Sequence, residues 1–430
     1  MVSALKQLKP ELNDDASCLE TNPEEWMPML NLIKTKKSKK TEDTKSEMSS
    51  TTATSTTFSG LKRDFSHIKI EEFQTDFYRS SDQWLVGDKN ILGDFKKFQD
   101  ESLEMAKRCK GTMLLKNDIA VLLSLSGILI LSKDIQHPVL NNCFNTIKYS
   151  TLVDLCCQEF LYHLPLFPLQ SYVAYSAVVQ KLLNDGYDYR EEFQEEMMMM
   201  KKKEDGPQKK ILDALIHIAP EVVKPLKKKV SELDLCASFV QPFVGRLLQE
   251  RNNDPHQSDR VVDELEEVDA KCRPNIKCLV YEGENYIFTN AYGEVKPSNI
   301  YDKHLLNFEL YKLALYGKEM LQKSDAKNIL CFQIWGGAGK AYIMKLACNN
   351  VCTITHFCDF RIPVKLKDMD MSLNDMNNLM KFVYVYKKYC FEKQSSTEKF
   401  LMLPSLSLPL ATLFDIISSE ASNKKRKLNE

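Results

Sequence analysis

Two charged residues in the C-terminal half have the types and spacing for phosphate chemistry. Glu294 and Lys296 lie two positions apart in a β-forming run that starts at Tyr286. Alternate side chains of a strand share a face, so these two point the same way and Val295 points to the opposite side. A carboxylate can hold a metal ion, and a neighbouring ammonium can stabilise the charge that develops on a phosphate. The pair therefore indicates a site that cleaves or binds phosphodiesters.

The segment before this run predicts a β-hairpin. Residues 276 to 281 are mostly apolar or β-forming, and residues 282 to 285, Glu-Gly-Glu-Asn, have the composition of a turn. Pro297 ends the second strand, because a proline cannot donate to the ladder. Asn275 immediately precedes the first strand, so the hairpin places it across from Glu294.

Helices are predicted on both sides of the hairpin. Residues 231 to 250 begin with a serine cap and acids in the first turn, and Pro242 predicts a kink. Residues 304 to 322 are amphipathic. An earlier helix from Ile211 is expected to break at Pro220. The remaining predicted elements are a strand (residues 329–335), a glycine turn (336–339), two further strands (340–346 and 351–360) and a final helix (371–392).

These residues carry a resemblance to a known family. Pro274-Asn275 followed by Gly293-Glu294-Val295-Lys296 resembles the signature of the PD-(D/E)xK nuclease-like superfamily. The wider run, from Ser231-Glu232-Leu233 to Pro297, is similar to uncharacterised proteins of mucoralean fungi that carry this signature. The resemblance covers residues 225 to 395. It implies an α/β (α+β) fold, with a mixed sheet flanked by helices.

The resemblance also implies roles for four residues. Glu294 and Lys296 would be catalytic, and Glu294, Asn275 and Glu232 would hold Mg²⁺ or Mn²⁺. Asn275 stands where the family has its first acid. A neutral amide contributes only one carbonyl oxygen to a hard cation, so this departure predicts weakened catalysis.

Three functions remain open at this point. The first is a catalytically weakened or inactive nuclease-like protein that binds DNA or RNA, or serves as a scaffold for other proteins through its helical region. The second is an active metal-dependent nuclease. The third is a structural protein in which Glu294 and Lys296 form an ordinary charge pair on a strand. A third carboxylate close to Glu294 would favour the enzyme, because magnesium sites need several oxygen ligands.

The rest of the chain is predicted to contain no further candidate catalytic residues. The Ser- and Thr-rich N-terminus is expected to be disordered, and the apolar run from Ile119 to Leu131 predicts a buried helix too short to span a membrane. The predicted organisation is a disordered tail (residues 1–75), an α-helical accessory domain (80–188), a charged and Met-rich linker (189–210), the nuclease-like domain (211–395) and a C-terminal tail (396–430).

Composition bounds the location and the partners. The net charge of -1 provides no overall basic field for nucleic acid, so binding requires a local patch. The 13 cysteines form no Cys-x-x-Cys pair, which indicates reduced thiols and an intracellular protein. Residues 424 to 427, Lys-Lys-Arg-Lys, predict nuclear import. The basic cluster at residues 34 to 40 is a second import candidate, a phosphate-binding arm or a solvated linker.

Two further motifs receive ordinary interpretations. Gly336-x-x-Gly339-Lys340 lacks the first glycine and the Ser/Thr of a phosphate-binding loop, and it precedes a predicted strand, so it predicts a hairpin turn. Cys348, Cys352, His356 and Cys358 do not have zinc-finger spacing, which favours buried thiols.

Overall fold

The structure is a computed structural model. It describes residues 69–73, 75, 83–135, 137–224, 230–257, 274–298, 302–348, 351–394 and 407–417. The N-terminal tail, the acid-rich residues 258–273 and both basic clusters lie outside the described residues. The predicted disorder of the N-terminus and the proposed import signals therefore remain predictions.

The described chain alternates helical and extended segments. The helices are α1 (Leu92–Arg108), α2 (Leu115–Leu125), α3 (Pro138–Cys143), α4 (Tyr149–Leu161), α5 (Leu169–Asp185), α6 (Arg190–Lys203), α7 (Gly206–Val222), α8 (Glu232–Leu235), α9 (Gln241–Leu248), α10 (Lys303–Lys323), α11 (Leu373–Tyr389) and α12 (Leu410–Ile416). The strands are β1 (Leu85–Val86), β2 (Lys89–Asn90), β3 (Ile128–Leu131), β4 (Asn253–Gln257), β5 (Ile276–Glu282), β6 (Asn285–Lys296), β7 (Asn328–Trp335), β8 (Ala338–Cys348) and β9 (Val351–Arg361).

Seven of these strands form one mixed sheet in the order β3-β9-β8-β7-β6-β5-β4. The pairs β4–β5, β5–β6, β7–β8 and β8–β9 are antiparallel, whereas β6–β7 and β3–β9 are parallel. It follows that β3, β6, β7 and β9 run in the same direction and end at the same edge of the sheet. Ligands of α/β sheets commonly bind at such a carboxyl edge.

Helices cover both faces of the sheet, and apolar side chains of its strands are buried on both sides. Along β7, Ile329 and Cys331 belong to a core shared with α1, α2 and α10, while Leu330 and Phe332 belong to a core shared with α7, α9 and α11. The chain is therefore an α+β protein with helices flanking a mixed sheet, as the sequence predicts. Residues 61 to 430 form one compact unit.

The predicted hairpin is confirmed. Strands β5 and β6 pair antiparallel, with Ile276 opposite Gly293 and Glu282 opposite Asn285. Gly283 turns the chain with a φ of 65°, a conformation that glycine adopts without steric cost. The glycine turn between β7 and β8 is confirmed as well, since Gly336 and Gly337 connect two antiparallel strands and Gly336 has a φ of 66°.

Pro242 produces the predicted irregularity in the helix after Ser231. The segment begins as α8, passes through a π-helical turn at Cys236–Val240 and continues as α9. Pro242 occupies the first turn of α9, and the residues at both ends of the π-helical turn have right-handed helical dihedrals. The irregularity is therefore a π-helical turn within one continuous helix.

Four predictions about elements are wrong. The run from Ile119 to Leu131 is not one helix, because it turns at Gly127 (φ 66°) and continues as β3, so the predicted α-helical accessory region adds a strand to the main sheet. Pro220 lies inside α7 and does not end it. Residues 85 to 90, in the region predicted to be α-helical, form the small β1–β2 hairpin before α1. Residues 253 to 257, where no strand was predicted, form β4.

Strand β4, which the sequence does not predict, forms because of its tertiary contacts. Strand β4 has a poor β sequence, Asn-Asp-Pro-His-Gln, but it pairs along the edge of the sheet with β5, where a proline is tolerated. The segment predicted as a charged linker forms α6 and the start of α7. Met197 of α6 is fully buried, whereas Met198 and Met199 are exposed.

Candidate functional site

The site is centred on Glu294 and Lys296 at the carboxyl end of β6. Both side chains point toward α10, and Val295 between them is buried in the core on the other face. In the parallel ladder with β7, Glu294 lies beside Gln333 and Lys296 beside Trp335. Glu294 is only 2% exposed, so its carboxylate lies in the protein interior. The alternation of the strand thus places the pair as the sequence predicts.

Helix α10 brings two further charges to the same place. Its first turn is capped by Asp302, whose Oδ1 accepts a hydrogen bond from the backbone N–H of His304 at 2.9 Å. Glu309 and Lys312 follow one turn apart and face β6, and Glu309 is 4% exposed. Sequence reasoning missed both residues. The available signal was a Glu and a Lys three positions apart in a helix already predicted to cover the hairpin.

The charges form one connected network. The Lys312 ammonium lies 3.1 Å from Oε1 of Glu294 and also forms an ion pair with Glu309. The Lys296 ammonium lies 3.5 Å from Oε1 of Glu309 and 3.1 Å from both carboxylate oxygens of Glu232. Each lysine therefore joins two glutamates.

Glu232 lies at the rim of this network. It is the first residue of α8, where Ser231 caps the helix by accepting a hydrogen bond from the N–H of Asp234 at 3.0 Å. Its side chain is 39% exposed, in contrast to the buried Glu294 and Glu309. The predicted start of a helix at Ser231, with Glu232 in its first turn, is confirmed. Its observed contacts are hydrogen bonds to Lys296 and Asn275.

Asn275 uses both ends of its amide to connect the hairpin to α8. Its Oδ1 accepts a hydrogen bond from the backbone N–H of Val295 at 2.7 Å, and its Nδ2 donates to Oε1 of Glu232 at 3.1 Å. The side chain thus ties the start of β5 to β6 and to the helix. Its carbonyl oxygen, the atom that a hard cation would need, accepts the backbone N–H of Val295 and is held in place by this bond.

Burial and the neighbouring charges shift the pKa values of Glu294, Lys296 and Lys312. Burial raises the pKa of Glu294 above the ordinary glutamate range, and the neighbouring Glu309 raises it further, against the attraction of Lys312 and Lys296. Burial by itself would lower the pKa of both lysines. The surrounding glutamates outweigh this and raise the pKa of Lys296 and Lys312, so both ammonium groups remain charged.

As arranged, these donors do not fit a divalent cation. Lys312 pairs with Glu294 and Glu309, Lys296 pairs with Glu232, and the Asn275 oxygen accepts a backbone N–H. Across the described parts of the chain, no group of three or more His, Cys, Asp or Glu side chains is arranged to hold a metal ion. The network that the structure does contain is a closed set of ion pairs.

The other sequence motifs lie apart from this network. Cys352 and Cys358 are buried thiols on β9, and burial raises the pKa of both. His356 forms a pair with Asp359 at 3.3 Å. Among the helices that the structure describes, none is long and apolar enough to cross a membrane.

Comparisons of the chain with protein-family models, with curated proteins and with solved structures gave no match.

Proposed function

We propose that this chain is a nuclease-like protein whose site has become a structural ion-pair network, and that it binds DNA or RNA without cleaving it. The observation that carries the proposal is the pairing of Lys312 with both Glu294 and Glu309. A lysine ammonium at this position takes the electrostatic role that a cation would have between the two carboxylates.

The convergence of the resembling residues supports the nuclease-like part of the proposal. Glu232, Asn275, Glu294 and Lys296 are spread over more than sixty positions of sequence. In the fold, Asn275 bonds Glu232 and the backbone between Glu294 and Lys296, and Lys296 bonds Glu232. An ordinary exposed charge pair on a strand would not be buried and would not contact both Asn275 and Glu232.

The loss of catalysis follows from the chemistry of the same residues. Metal-assisted hydrolysis needs carboxylates free to hold the metal and a position for the attacking water. Asn275 offers no charge, and the buried carboxylates are each paired with a lysine. Nucleic-acid binding rests on the family resemblance and on the local basic clusters of the sequence, since the whole chain has a net charge of only -1.

An active metal-dependent nuclease is the second candidate, and one observation favours it. Glu309 contributes a further carboxylate next to Glu294, because both share the ammonium of Lys312. With Glu232 at the rim, three glutamates surround the two lysines. If Lys312 moved away, Glu294 and Glu309 could become ligands for a hard cation.

One set of assays tests both candidates. Labelled single- and double-stranded DNA and RNA are incubated with the full chain in Mg²⁺ or Mn²⁺, and binding is followed by fluorescence anisotropy. The proposal expects salt-sensitive binding without metal, no cleavage, and no loss of binding in Glu294→Gln. Glu319→Gln, on the same helix but paired with Lys323, is the matched control.

The outcomes separate the candidates. Metal-dependent cleavage that Glu294→Gln abolishes and Glu319→Gln retains would establish the enzyme and overturn the proposal. Absence of binding to all four nucleic acids would leave an interaction scaffold as the function of the fold.

Nuclear localisation is a further part of the proposal. It is supported by the consecutive cations at residues 424 to 427, which lie in a polar segment of the sequence and can enter an acidic receptor groove as an extended chain.

A further inference from the structure

A cavity of about 410 Å³ lies at the carboxyl edge of the parallel strands. Its walls come from the end of β7, the start of β8, the loop after β3, and the first turns of α2 and α10. The volume is in the range of pockets that enclose small molecules, about 300–1,000 Å³. Pockets at the carboxyl ends of parallel strands are a common location for ligands in α/β sheets.

The cavity is distinct from the ion-pair network because α10 separates them. Lys303, Leu306 and Leu310 of α10 line the cavity, whereas Glu309 and Lys312 face the network. Gln333 lines the cavity as well, although it neighbours Glu294 in the sheet. The amide of Gln333 does not bridge the two sites, since its Nε2 donates to the carbonyl of Leu306 at 2.6 Å.

A preorganised histidine and aspartate form one wall. Asp118 is 8% exposed and its Oδ2 accepts a hydrogen bond from the backbone N–H of Leu114 at 2.7 Å. His137 is 7% exposed, its Nδ1 accepts from the N–H of Val139 at 3.3 Å, and its Nε2 lies 3.4 Å from Oδ1 of Asp118. Because Nδ1 is an acceptor, the proton of a neutral ring is on Nε2. The imidazole ring and the carboxylate are therefore both fixed before any ligand arrives.

The charge of the lining favours an anion. Asp118 is paired with His137 and Asp134 is paired with Lys340, so Lys116 and Lys303 are the lining lysines outside these two pairs. The lining lysines are Lys116, Lys303 and Lys340.

Two aromatic residues, Trp335 and Tyr342, line the same cavity, and the ring of Tyr342 also packs against that of His356, with the centroids 5.3 Å apart. Trp335, at the end of β7, is half-buried, and Tyr342 of β8 is buried with its hydroxyl near Oε1 of Gln333 at 3.5 Å. Aromatic faces of this kind stack on planar rings. We propose that the cavity binds a small phosphate ester that carries a flat ring, of the nucleotide class, with the lysines on the phosphate and the aromatic side chains against the ring.

Calorimetry with the full chain tests this directly. The probes are a nucleoside monophosphate, the matching nucleoside and inorganic phosphate. We expect the monophosphate to bind at least about tenfold more tightly than either fragment, a difference equivalent to about 1.4 kcal/mol. Lys116→Gln combined with Lys303→Gln should weaken monophosphate binding at least about tenfold and leave nucleoside binding unchanged. Lys323→Gln, at the other end of α10, is the matched control.

Fluorescence supplies a second readout. The chain contains three tryptophans, and of these Trp335 lines the cavity, so binding should change an emission component that Trp335→Phe removes. Equal thermal stability of the variants and the wild type excludes misfolding as the cause. The proposal is overturned if none of the probes binds, if the nucleoside binds as tightly as the monophosphate, or if the double lysine variant binds like the wild type.

Discussion

The ammonium of Lys312 lies 3.1 Å from Oε1 of Glu294, in the interior between α10 and β6. The two residues come from different elements and are 18 positions apart in sequence. Their contact joins the helix to the strand that carries the family-like motif, and it takes the carboxylate that a metal site would need. The stability of the fold and the proposed loss of metal binding thus depend on the same pair.

Removing Lys312 should be costly. In Lys312→Met the buried carboxyl groups of Glu294 and Glu309 lose their shared partner, and removing one member of a buried ion pair costs about 3–5 kcal/mol of unfolding free energy. Urea unfolding at neutral pH measures this. Lys323→Met removes an exposed lysine of the same helix that is paired with Glu319 at 2.5 Å, and it should cost less than about 1 kcal/mol. Similar stabilities for the two variants would contradict the structural role of the network.

Asn275→Asp should make the site depend on a divalent cation. The aspartate can still accept the N–H of Val295, but it cannot donate to Glu232. Its second oxygen would replace the Nδ2 atom that lies 3.1 Å from Oε1 of Glu232, so two carboxylates would face each other. Without metal the variant should unfold at a lower temperature than the wild type. Added Mg²⁺ or Mn²⁺ should reverse part of this loss, because a hard cation gains a charged ligand, and cleavage should rise above the wild-type level.

Asn275→Ala is the control for this change, since it loses both contacts without adding charge. A cation effect of the same size in both variants, or calorimetry that detects no metal for Asn275→Asp, would show that Glu294 and Lys296 do not form a latent metal site.

Glu294→Gln should change how stability depends on pH. The pKa of Glu294 is raised in the folded protein, so the folded state keeps this proton at pH values where the unfolded chain has released it. The wild type therefore loses stability as the pH rises from about 4.5, the ordinary value, toward the raised pKa. Glutamine cannot ionise, so the stability of the variant relative to the wild type should increase over this range. Unfolding curves at several pH values measure the slope, and parallel profiles would contradict the shift.

Lys318 should give stability the opposite dependence on pH. It is 1% exposed, its ammonium donates to the carbonyl of Ser126 at 2.5 Å, and burial lowers its pKa from 10.5 to about 8. The folded state thus resists a charge that the unfolded chain accepts, at a cost of about 3 kcal/mol below pH 8. Lys318→Met should stabilise the protein by about 1–3 kcal/mol at neutral pH, after allowing for the lost hydrogen bond.

The pH dependence of that gain is the check. Wild-type stability should rise between pH 8 and 10.5, so the advantage of Lys318→Met should shrink over the same interval. A destabilised variant, or an advantage that does not change with pH, would show that the buried ammonium is not the source of the cost.

Replacing residues 424 to 427, Lys-Lys-Arg-Lys, with alanine should move a tagged full-length protein from the nucleus to the cytoplasm. Consecutive cations in a polar segment can bind acidic receptor grooves as an extended chain. Fluorescence microscopy measures the distribution, and alanine substitution of the lysines within residues 34 to 40 is the matched comparison. An unchanged nuclear signal in the first variant would rule out a necessary role for this cluster.

The sequence by itself determined the parts of the site that depend on local rules. The alternation of side chains along a strand placed Glu294 and Lys296 on one face, and turn-forming residues located the bend at Gly283. Ser231 and the acids that follow it start the helix that carries Glu232. These features are set within a few residues, where backbone sterics and side-chain hydrogen bonds dominate.

Only the tertiary structure decided what those residues touch. Glu309 and Lys312 became partners of Glu294 through the packing of α10 on β6, and Asn275 became a clamp through the register of the hairpin. Strand β3 joined the sheet beside β9, more than two hundred residues later in the chain. Such contacts depend on the long-range burial of apolar faces, which fixes distances and protonation only after the whole sheet has assembled.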